Sequence, residues 1–149
     1  MTFYYIYVTI IIDKESVGVY MVKPSRKQIS LHVERCVYKD FKEKCVYDLL
    51  PMNVVLEFFM QAFIKEDIVL NVKDNKAFFS LKNEEFVLSK NKTSLNNFEK
   101  EKELHNTSVN ADLYSNFTKK CSRYNLTVSF MFEIFMKQYS CSDFSLSLK

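Results

Sequence analysis

Apolar and polar residues alternate most regularly over residues 28–36. Ile29, Leu31 and Val33 fall on one side of an extended chain and polar residues fall on the other, which predicts a strand with one buried face. The dipeptide Asp74-Asn75 separates two further alternating runs and predicts a hairpin turn, because both residue types tolerate left-handed geometry. The predicted strands are Tyr4–Ile12, Ser16–Val22, Gln28–Cys36, Ile68–Lys73, Ala77–Leu81 and Phe86–Leu88.

Two longer apolar blocks have helical spacing. The first follows Pro51 and extends to about Phe63, and the second lies 76 residues further along the chain. Shifting Asn53–Val72 by 76 residues places it on Ser129–Leu148 without a gap, which predicts an internal duplication of a helix-plus-sheet unit. Chance identity in a compositionally biased chain is the alternative. The identical pairs are Glu57 and Glu133, Phe59 and Phe135, Met60 and Met136, Asp67 and Asp143, and Leu70 and Leu146.

A narrow polar stripe runs along each predicted helix. Its residues recur at i, i+4 and i+8 and therefore share one side of the helix. We expect each helix to pack broadly on a sheet and to show this stripe to water, with Glu57 and Glu133 as solvated carboxylates. The stripes are Asn53, Glu57 and Gln61 on the first helix, and Ser129, Glu133 and Lys137 on the second.

The segment from Lys90 to Arg123 has a different character. Lys, Asn, Glu, Ser and Thr dominate it, and its periodicity fades. A stretch of this length without a strong pattern is unusual inside one compact domain. We interpret it as a connector between two folded units, with a short helical turn over Phe98–Leu104.

Composition places the chain among globular proteins. Its 149 residues are 48% hydrophobic and 26% charged, with a net charge of +3. That charge permits contact with nucleic acid but does not require it. Met1–Ile12 has no basic start and no small-residue cleavage site, and it is too short to span a bilayer. We therefore expect an intracellular protein.

Cysteines and glycosylation sequons do not alter this interpretation. The cysteines lack C-x-x-C spacing and a metal-ligand pattern with histidine, so reduced, partly buried thiols are expected, and no metal or other cofactor. In an Asn-rich chain, the N-x-S/T sequons are better explained as chance occurrences than as glycan acceptors. The cysteines are Cys36, Cys45, Cys121 and Cys141, and the sequons begin at Asn91, Asn106, Asn116 and Asn125.

No residue pattern predicts catalysis. A single glycine excludes a glycine-rich phosphate loop, and no nucleophile or paired-carboxylate motif appears. His32 lies on the polar side of a predicted strand and His105 in the predicted connector. We assign no catalytic residue and expect a protein that is not an enzyme. The best basic patch is Lys119, Lys120 and Arg123, just before the second helix.

The order of elements resembles the PCNA-like sliding clamps, which are rings of tandem domains with sheets outside and helices lining a channel. SVGVYMVKPSRKQISLHVERCVYKDF (residues 16–41) is similar to the clamp order of strand, turn, strand and aromatic-rich segment. NVVLEFFMQAF (53–63) and KEDIVLNVKDNKAFFSL (65–81) resemble the second helix of the first clamp domain and the hairpin after it. KNKTSLNNFEKEKEL (90–104) most resembles the Rad-nine-type subunit of the checkpoint (nine-one-one) clamp.

This resemblance implies an α+β, DNA-clamp-like fold, in which an antiparallel sheet carries helices on one face. Residues 1–89 would form a partial first domain, 90–123 the connector and 124–149 the start of a second domain. The protein would be a nuclear, non-enzymatic subunit of a heterotrimeric ring that encircles double-stranded DNA, without contacting a membrane. Partner peptides would dock near the connector. The residues expected to face DNA are Lys119, Lys120, Arg123 and Lys137.

The chain also departs from the clamp pattern. Tyr4–Ile12 predicts a strand where clamps have a first helix, and the second domain is short, so an incomplete or reduced subunit is expected. The helix stripes contain two acids and one base, whereas clamp channels are usually basic, and phosphate contact depends on Lys and Arg. The alternative is a small α+β protein-interaction protein unrelated to DNA, including a secreted, glycosylated form. Glycans, or a Cys36–Cys45 or Cys121–Cys141 disulfide, would favour it.

Overall fold

The computed structural model describes residues 7–8, 25–82, 92–95 and 101–146. The α+β class predicted from the sequence is confirmed. The elements in chain order are β1 (Tyr7–Val8), β2 (Arg26–Glu34), α1 (Arg35–Tyr47), α2 (Met52–Ile64), β3 (Ile68–Lys73), β4 (Lys76–Leu81), β5 (Thr93–Ser94), β6 (Lys102–Asn110), α3 (Ala111–Cys121), a 3₁₀ turn (Ser122–Tyr124), α4 (Val128–Ser140) and β7 (Ser145–Leu146).

The strands form three small sheets. β2 and β6 pair antiparallel over nine residues each, β3, β4 and β5 form an antiparallel sheet in that order, and β1 pairs in parallel with β7. The predicted hairpin is confirmed, because Asp74 and Asn75 connect β3 to β4 with φ values of 53° and 60°. The β2–β6 ribbon is the longest pairing and joins segments far apart in the sequence.

Two copies of one β–α–α–β unit make up most of the described chain. The elements β2, α1, α2 and β3 recur as β6, α3, α4 and β7 at the 76-residue spacing. Helices α2 and α4 begin and end at equivalent positions. The ribbon pairs Ser30 with Asn106 at its centre, and these two residues are themselves 76 apart. An antiparallel ladder centred on equivalent residues places the two units about an approximate two-fold axis. The predicted duplication therefore has a structural counterpart.

Backbone details repeat as well. Both α1–α2 and α3–α4 connections contain one left-handed residue, Leu49 (φ 59°) and Asn125 (φ 55°). After each long helix the chain turns through another such residue, and the next amide donates back to the helix over 2.9 Å. Asp67 donates to the Ala62 carbonyl, and Asp143 to that of Gln138. Conserved turn geometry at a constant spacing is difficult to obtain by chance.

Within the core, α1 packs against α4 and α2 packs against α3, and a ring stack joins α2 to α4. The equivalent rings of Phe59 and Phe135 stack with centroids 4.2 Å apart and planes 10° apart. Further identical pairs lie at the same spacing in the preceding elements: Val33 and Val109, Tyr38 and Tyr114, Phe41 and Phe117, Lys44 and Lys120, Cys45 and Cys121, and Leu50 and Leu126. Phe41 and Phe117 are both fully buried. Removing such apolar surface from water is the main stabilising contribution to a core of this kind.

The expected irregular connector over 90–123 is wrong. It contains β6 and α3, and residues 102–104, placed in a helical turn by the sequence pattern, belong to a strand. Val109 and Phe117 from this segment join the same core as Phe59 and Phe135. Among the described residues, the predicted units 1–89, 90–123 and 124–149 therefore do not have separate cores. The hydrophobic pattern of this segment was weak because β6 is buried mainly at one end, where Val109 lies.

Two other expectations need correction or fall outside the described residues. The predicted strand over Gln28–Cys36 begins earlier and stops at Glu34, where the aromatic-rich segment begins a 13-residue helix that buries Val37, Phe41 and Cys45. Of the predicted strand Tyr4–Ile12, only Tyr7–Val8 is described, and it is extended. Ser16–Val22 and Phe86–Leu88 lie outside the described residues.

Candidate interaction surfaces

The two glutamates of the helix stripes face the strand ribbon. Arg26 at the start of β2 contacts Glu57 over 2.5 Å, and Lys102 at the start of β6 contacts Glu133 over 3.0 Å. Both members of one ion pair lie 76 residues from their counterparts in the other. Only 1% of the Glu133 side chain is exposed. The expectation of solvated carboxylates is therefore wrong for Glu133, and Glu57 is only partly exposed.

The remaining stripe contacts are also internal. Ser129 Oγ accepts from the His32 amide over 3.1 Å, and Lys137 Nζ donates to the Lys92 carbonyl over 3.2 Å. Glu57 additionally accepts from the Asn110 amide over 2.8 Å. Glu57, Ser129, Glu133 and Lys137 therefore engage backbone groups or cations of other segments, whereas Asn53 and Gln61 are partly exposed.

The four residues expected to face DNA divide into two pairs. Lys120 Nζ donates to the Phe63 carbonyl, lies 4.7 Å from the centroid of the Phe63 ring and is 3.6 Å from Glu66. Lys137 Nζ donates to the Lys92 carbonyl. Lys119 and Arg123 are exposed, on the last turn of α3 and in the 3₁₀ turn that follows it. Two cations of the predicted set therefore remain available to an anionic ligand.

The two histidines occupy different environments. His32 is exposed on the polar face of β2. His105 lies in β6, where its ring stacks on Tyr38 with a centroid separation of 3.5 Å, and its Nε2 is 3.6 Å from Glu103. Glu103 in turn contacts Arg35 over 2.9 Å. This cluster joins β6 to α1, and nothing in its geometry supplies a nucleophile.

Two thiols are buried at equivalent positions. Burial, with Asp48 nearby, raises the pKa of Cys45 to about 12, despite the opposing effect of Lys44. Burial also raises the pKa of Cys121 to about 12, with Lys120 acting in the opposite direction. A neutral, buried thiol is a poor nucleophile. Cys36 and Cys141 are exposed, and neither Cys45 nor Cys121 forms a disulfide.

An exposed apolar segment, not foreseen from the sequence, spans the end of α1 and the turn after it. Val46, Tyr47 and Leu49 are 68%, 81% and 88% exposed. The equivalent positions in the second unit are Ser122, Arg123 and Asn125. Extending the 76-residue alignment upstream of the long helices would have revealed this difference, because the aligned residues differ in polarity.

Neither a metal centre nor a membrane span was found within the ranges that the structure describes. No three His, Cys, Asp or Glu side chains there converge as metal ligands, and none of the helices there is long and apolar enough to cross a bilayer. No protein-family model, curated protein or solved structure matches this chain.

Proposed function

We propose that the protein is a non-enzymatic subunit of a ring-shaped DNA clamp that acts in the DNA-damage checkpoint, DNA repair or replication. The resemblance of residues 16–104 to clamps motivates this proposal. The observation that supports DNA contact is the exposure of Lys119 and Arg123 at the end of α3. Because Glu57, Glu133 and Lys137 of the stripes make internal contacts, the DNA-facing surface would be this end of α3.

Ring assembly would use strand edges. β3 lies at one edge of the β3–β4–β5 sheet, so a strand from a neighbouring subunit could extend this sheet through backbone hydrogen bonds. The proposed mechanism is topological: the ring encircles double-stranded DNA and presents docking sites for other proteins. Retention on DNA would then depend on ring closure more than on affinity for any sequence.

The test is retention on closed circular DNA compared with the same DNA after linearisation. The protein is purified with its native partners and challenged with salt on both substrates. A clamp stays on the circle and slides off the linear form. Lys119→Ala combined with Arg123→Ala should weaken initial DNA binding and flatten its salt dependence, because about two fewer phosphates are neutralised.

The matched control is Lys39→Ala with Lys42→Ala, which removes two exposed cations from α1, the counterpart of α3. We expect it to leave DNA binding unchanged. A protein that purifies without clamp-like partners and leaves circular and linear DNA equally fast contradicts the proposal.

The second candidate is the small interaction protein unrelated to DNA, in a secreted and glycosylated form. The observation that favours it is the exposure of three sequon asparagines, Asn106, Asn116 and Asn125. Mass spectrometry of the endogenous protein before and after glycosidase treatment tests it. Glycan at any of these positions supports this candidate over the clamp, and unmodified peptides covering all three remove its support.

A further inference from the structure

The β2–β6 ribbon has one buried face and one exposed face. Ile29, Leu31 and Val33 of β2 are buried, and the alternate positions of both strands are exposed. Because alternate residues point to the same side of a strand, the exposed side chains form one continuous surface, which we call the ribbon face. Its centre consists of Gln28, Ser30 and His32 from β2, paired with Ser108, Asn106 and Leu104 from β6.

The ribbon face is polar at its centre and basic at its ends. None of the six central residues is Lys, Arg, Asp or Glu, in a chain that is 26% charged. The exposed charged residues of the two strands are all cations, namely Arg26 and Lys27 at the start of β2 and Lys102 at the start of β6. Since the strands are antiparallel, their starts lie at opposite ends of the ribbon. Cations therefore flank a central set of hydrogen-bonding groups.

Glutamates near the ribbon are withdrawn from this surface. Glu34 at the end of β2 is buried, and Glu103 is partly buried and contacts Arg35 over 2.9 Å. Arg26 and Lys102 keep 39% and 29% of their side chains exposed while they pair with glutamates of the helix stripes. The exposed side of the ribbon is thus suited to an anionic ligand with hydrogen-bonding groups at its centre.

The ribbon face is fixed by contacts on both strands. At its centre the Ser30 hydroxyl donates to Asn106 Oδ1 over 2.7 Å, which joins the strands through their side chains. The His32 amide donates to Ser129 Oγ over 3.1 Å, which holds the outer edge of β2 against α4. A surface that is ordered before binding loses little conformational entropy when a ligand binds.

The dimensions of the ribbon match the major groove of duplex DNA. Paired strands lie about 4.8 Å apart, and nine residues extend over about 30 Å, whereas the groove is about 12 Å wide and admits a two-stranded ribbon. There the polar centre meets base edges and the terminal cations lie towards the phosphates. The major groove of duplex RNA is too deep and narrow for such readout. Leu104 is the one aliphatic residue of the six, too little apolar surface for a membrane.

We propose that the ribbon face binds in the major groove of duplex DNA and recognises A·T base pairs. Asn and Gln amides pair with the N6 and N7 atoms of adenine, and apolar side chains contact the thymine methyl group. Gln28 and Asn106 therefore each bind an adenine, and Leu104 contacts a thymine methyl. Arg and Lys, which bind guanine at this edge, do not occur among the six central residues.

The two-fold arrangement of the units determines the symmetry of the DNA site. A protein with two identical halves binds a palindromic site, but the equivalent residues here differ, since Gln28 aligns with Leu104 and Ser30 with Asn106. We therefore expect a non-palindromic site. The ribbon face shares no residue with the pair Lys119 and Arg123, so this proposal does not depend on a ring.

The test begins with selection from a pool of short linear duplexes of random sequence by the purified full chain. We expect enrichment of a non-palindromic site with A·T pairs at its specified positions. Fluorescence anisotropy then compares the selected duplex with a scrambled duplex of equal length and composition at the same salt concentration. Because phosphate contacts alone do not distinguish the two duplexes, we expect at least about tenfold tighter binding to the selected one.

Substitution of the two amides should remove this discrimination. Gln28→Ala with Asn106→Ala is expected to weaken binding to the selected duplex at least about tenfold, and binding to the scrambled duplex less than about twofold. The matched control is Ser115→Ala with Asn116→Ala, two exposed polar residues of α3, which should change neither affinity. Thermal unfolding shows whether each variant is folded.

Base analogues test the groove with the unaltered protein, so they are decisive even where a variant does not fold. Replacing adenine by 7-deazaadenine removes the N7 acceptor of the major groove, and 3-deazaadenine removes the N3 acceptor of the minor groove. We expect the first change in the selected duplex to weaken binding about tenfold and the second to change it less than about twofold.

Four results would overturn the proposal. They are no enrichment of any sequence, a selected site specified by G·C pairs alone, equal losses on both duplexes in the amide variant, and sensitivity to 3-deazaadenine without sensitivity to 7-deazaadenine. Lys119→Ala with Arg123→Ala should leave the ratio of the two affinities unchanged. A ring slides off a short linear duplex, so failure of retention on circular DNA leaves this proposal standing, and loss of sequence discrimination leaves the clamp standing.

Discussion

Glu57 and Glu133 show how much a side chain's role depends on what lies opposite it. On an isolated helix each belongs to a polar stripe that faces water. In the folded chain each meets a cation at the start of a strand in its own unit, Arg26 or Lys102. The strand brings a charge that helical spacing cannot reveal. Without Lys102, the carboxylate of Glu133 would be a buried unpaired charge, which is costly.

At the same scale, the buried thiols predict a loss of stability in alkali. Burial raises the pKa of Cys45 and Cys121 to about 12 in the folded chain, whereas thiols in the unfolded chain have a pKa near the ordinary value of 9.0. Between these values the unfolded state binds fewer protons, so the free energy of unfolding should fall with rising pH by about 1.4 kcal/mol per unit for each thiol.

Urea unfolding under reducing conditions at pH 8 and pH 10 measures this fall. In Cys45→Ala, the free energy of unfolding should fall less between these pH values, by the contribution of one thiol. Cys36→Ala, at an exposed position, should leave the fall unchanged. Equal pH dependence in wild type and Cys45→Ala would show that the Cys45 proton does not differ between the folded and unfolded states. Tyr139, whose pKa is raised by burial and by its hydrogen bond to Asp48, adds to the fall above pH 10.

Among the elements, α1 and α3 are equivalent helices with different beginnings. Asn110 precedes α3 and its side chain accepts from the Leu113 amide over 2.9 Å. Glu34 precedes α1 at the equivalent position, and its side chain makes no capping hydrogen bond. An N-cap satisfies a backbone amide that the helix leaves unpaired. The two units therefore begin their helices with unequal local support.

Asn110→Ala is expected to lower the free energy of unfolding by about 1 kcal/mol, because it removes this cap. Its backbone amide still donates to Glu57, so the change isolates the side chain. Thermal and urea unfolding measure the effect, with Asn116→Ala, exposed within α3, as the control. Equal losses in the two variants would mean that the cap contributes no specific stability.

The whole molecule is organised about the contact between its two units. The ribbon is centred on the equivalent residues Ser30 and Asn106, and the stacked rings of Phe59 and Phe135 join α2 to α4. Segments far apart in sequence thus share one core. Because neither unit covers its apolar helix alone, we infer that both fold cooperatively.

A double-mutant cycle on Phe59→Leu and Phe135→Leu tests this organisation. Each single change should cost about 1 kcal/mol, and the pair should show a coupling of about 0.5–1.5 kcal/mol because the two rings contact each other. Chemical denaturation measures all four free energies. Phe41→Leu with Phe63→Leu, whose rings contact different aromatic neighbours, should be additive. Additivity at Phe59 and Phe135 would contradict coupling between the units.

Local sequence patterns were enough to predict the long helix α2, the β3–β4 hairpin and the 76-residue repeat. These depend on local spacing and turn chemistry, such as the apolar run after Pro51 and the Asp74-Asn75 pair, so neighbouring residues suffice to predict them. Periodicity failed for β6, whose partner strand lies 76 residues earlier and whose burial is confined mainly to one end.

Which of the lysines and glutamates make internal contacts depends on long-range packing. Lys120 and Lys137 have the same side chain as Lys119, yet a carbonyl from a distant segment engages each of them. β6 places Lys102 beside the buried Glu133, and Leu49 is exposed because no described residue covers it. Spacing along a chain determines which side of an element a residue occupies. What that side meets depends on long-range packing, which a single element does not encode.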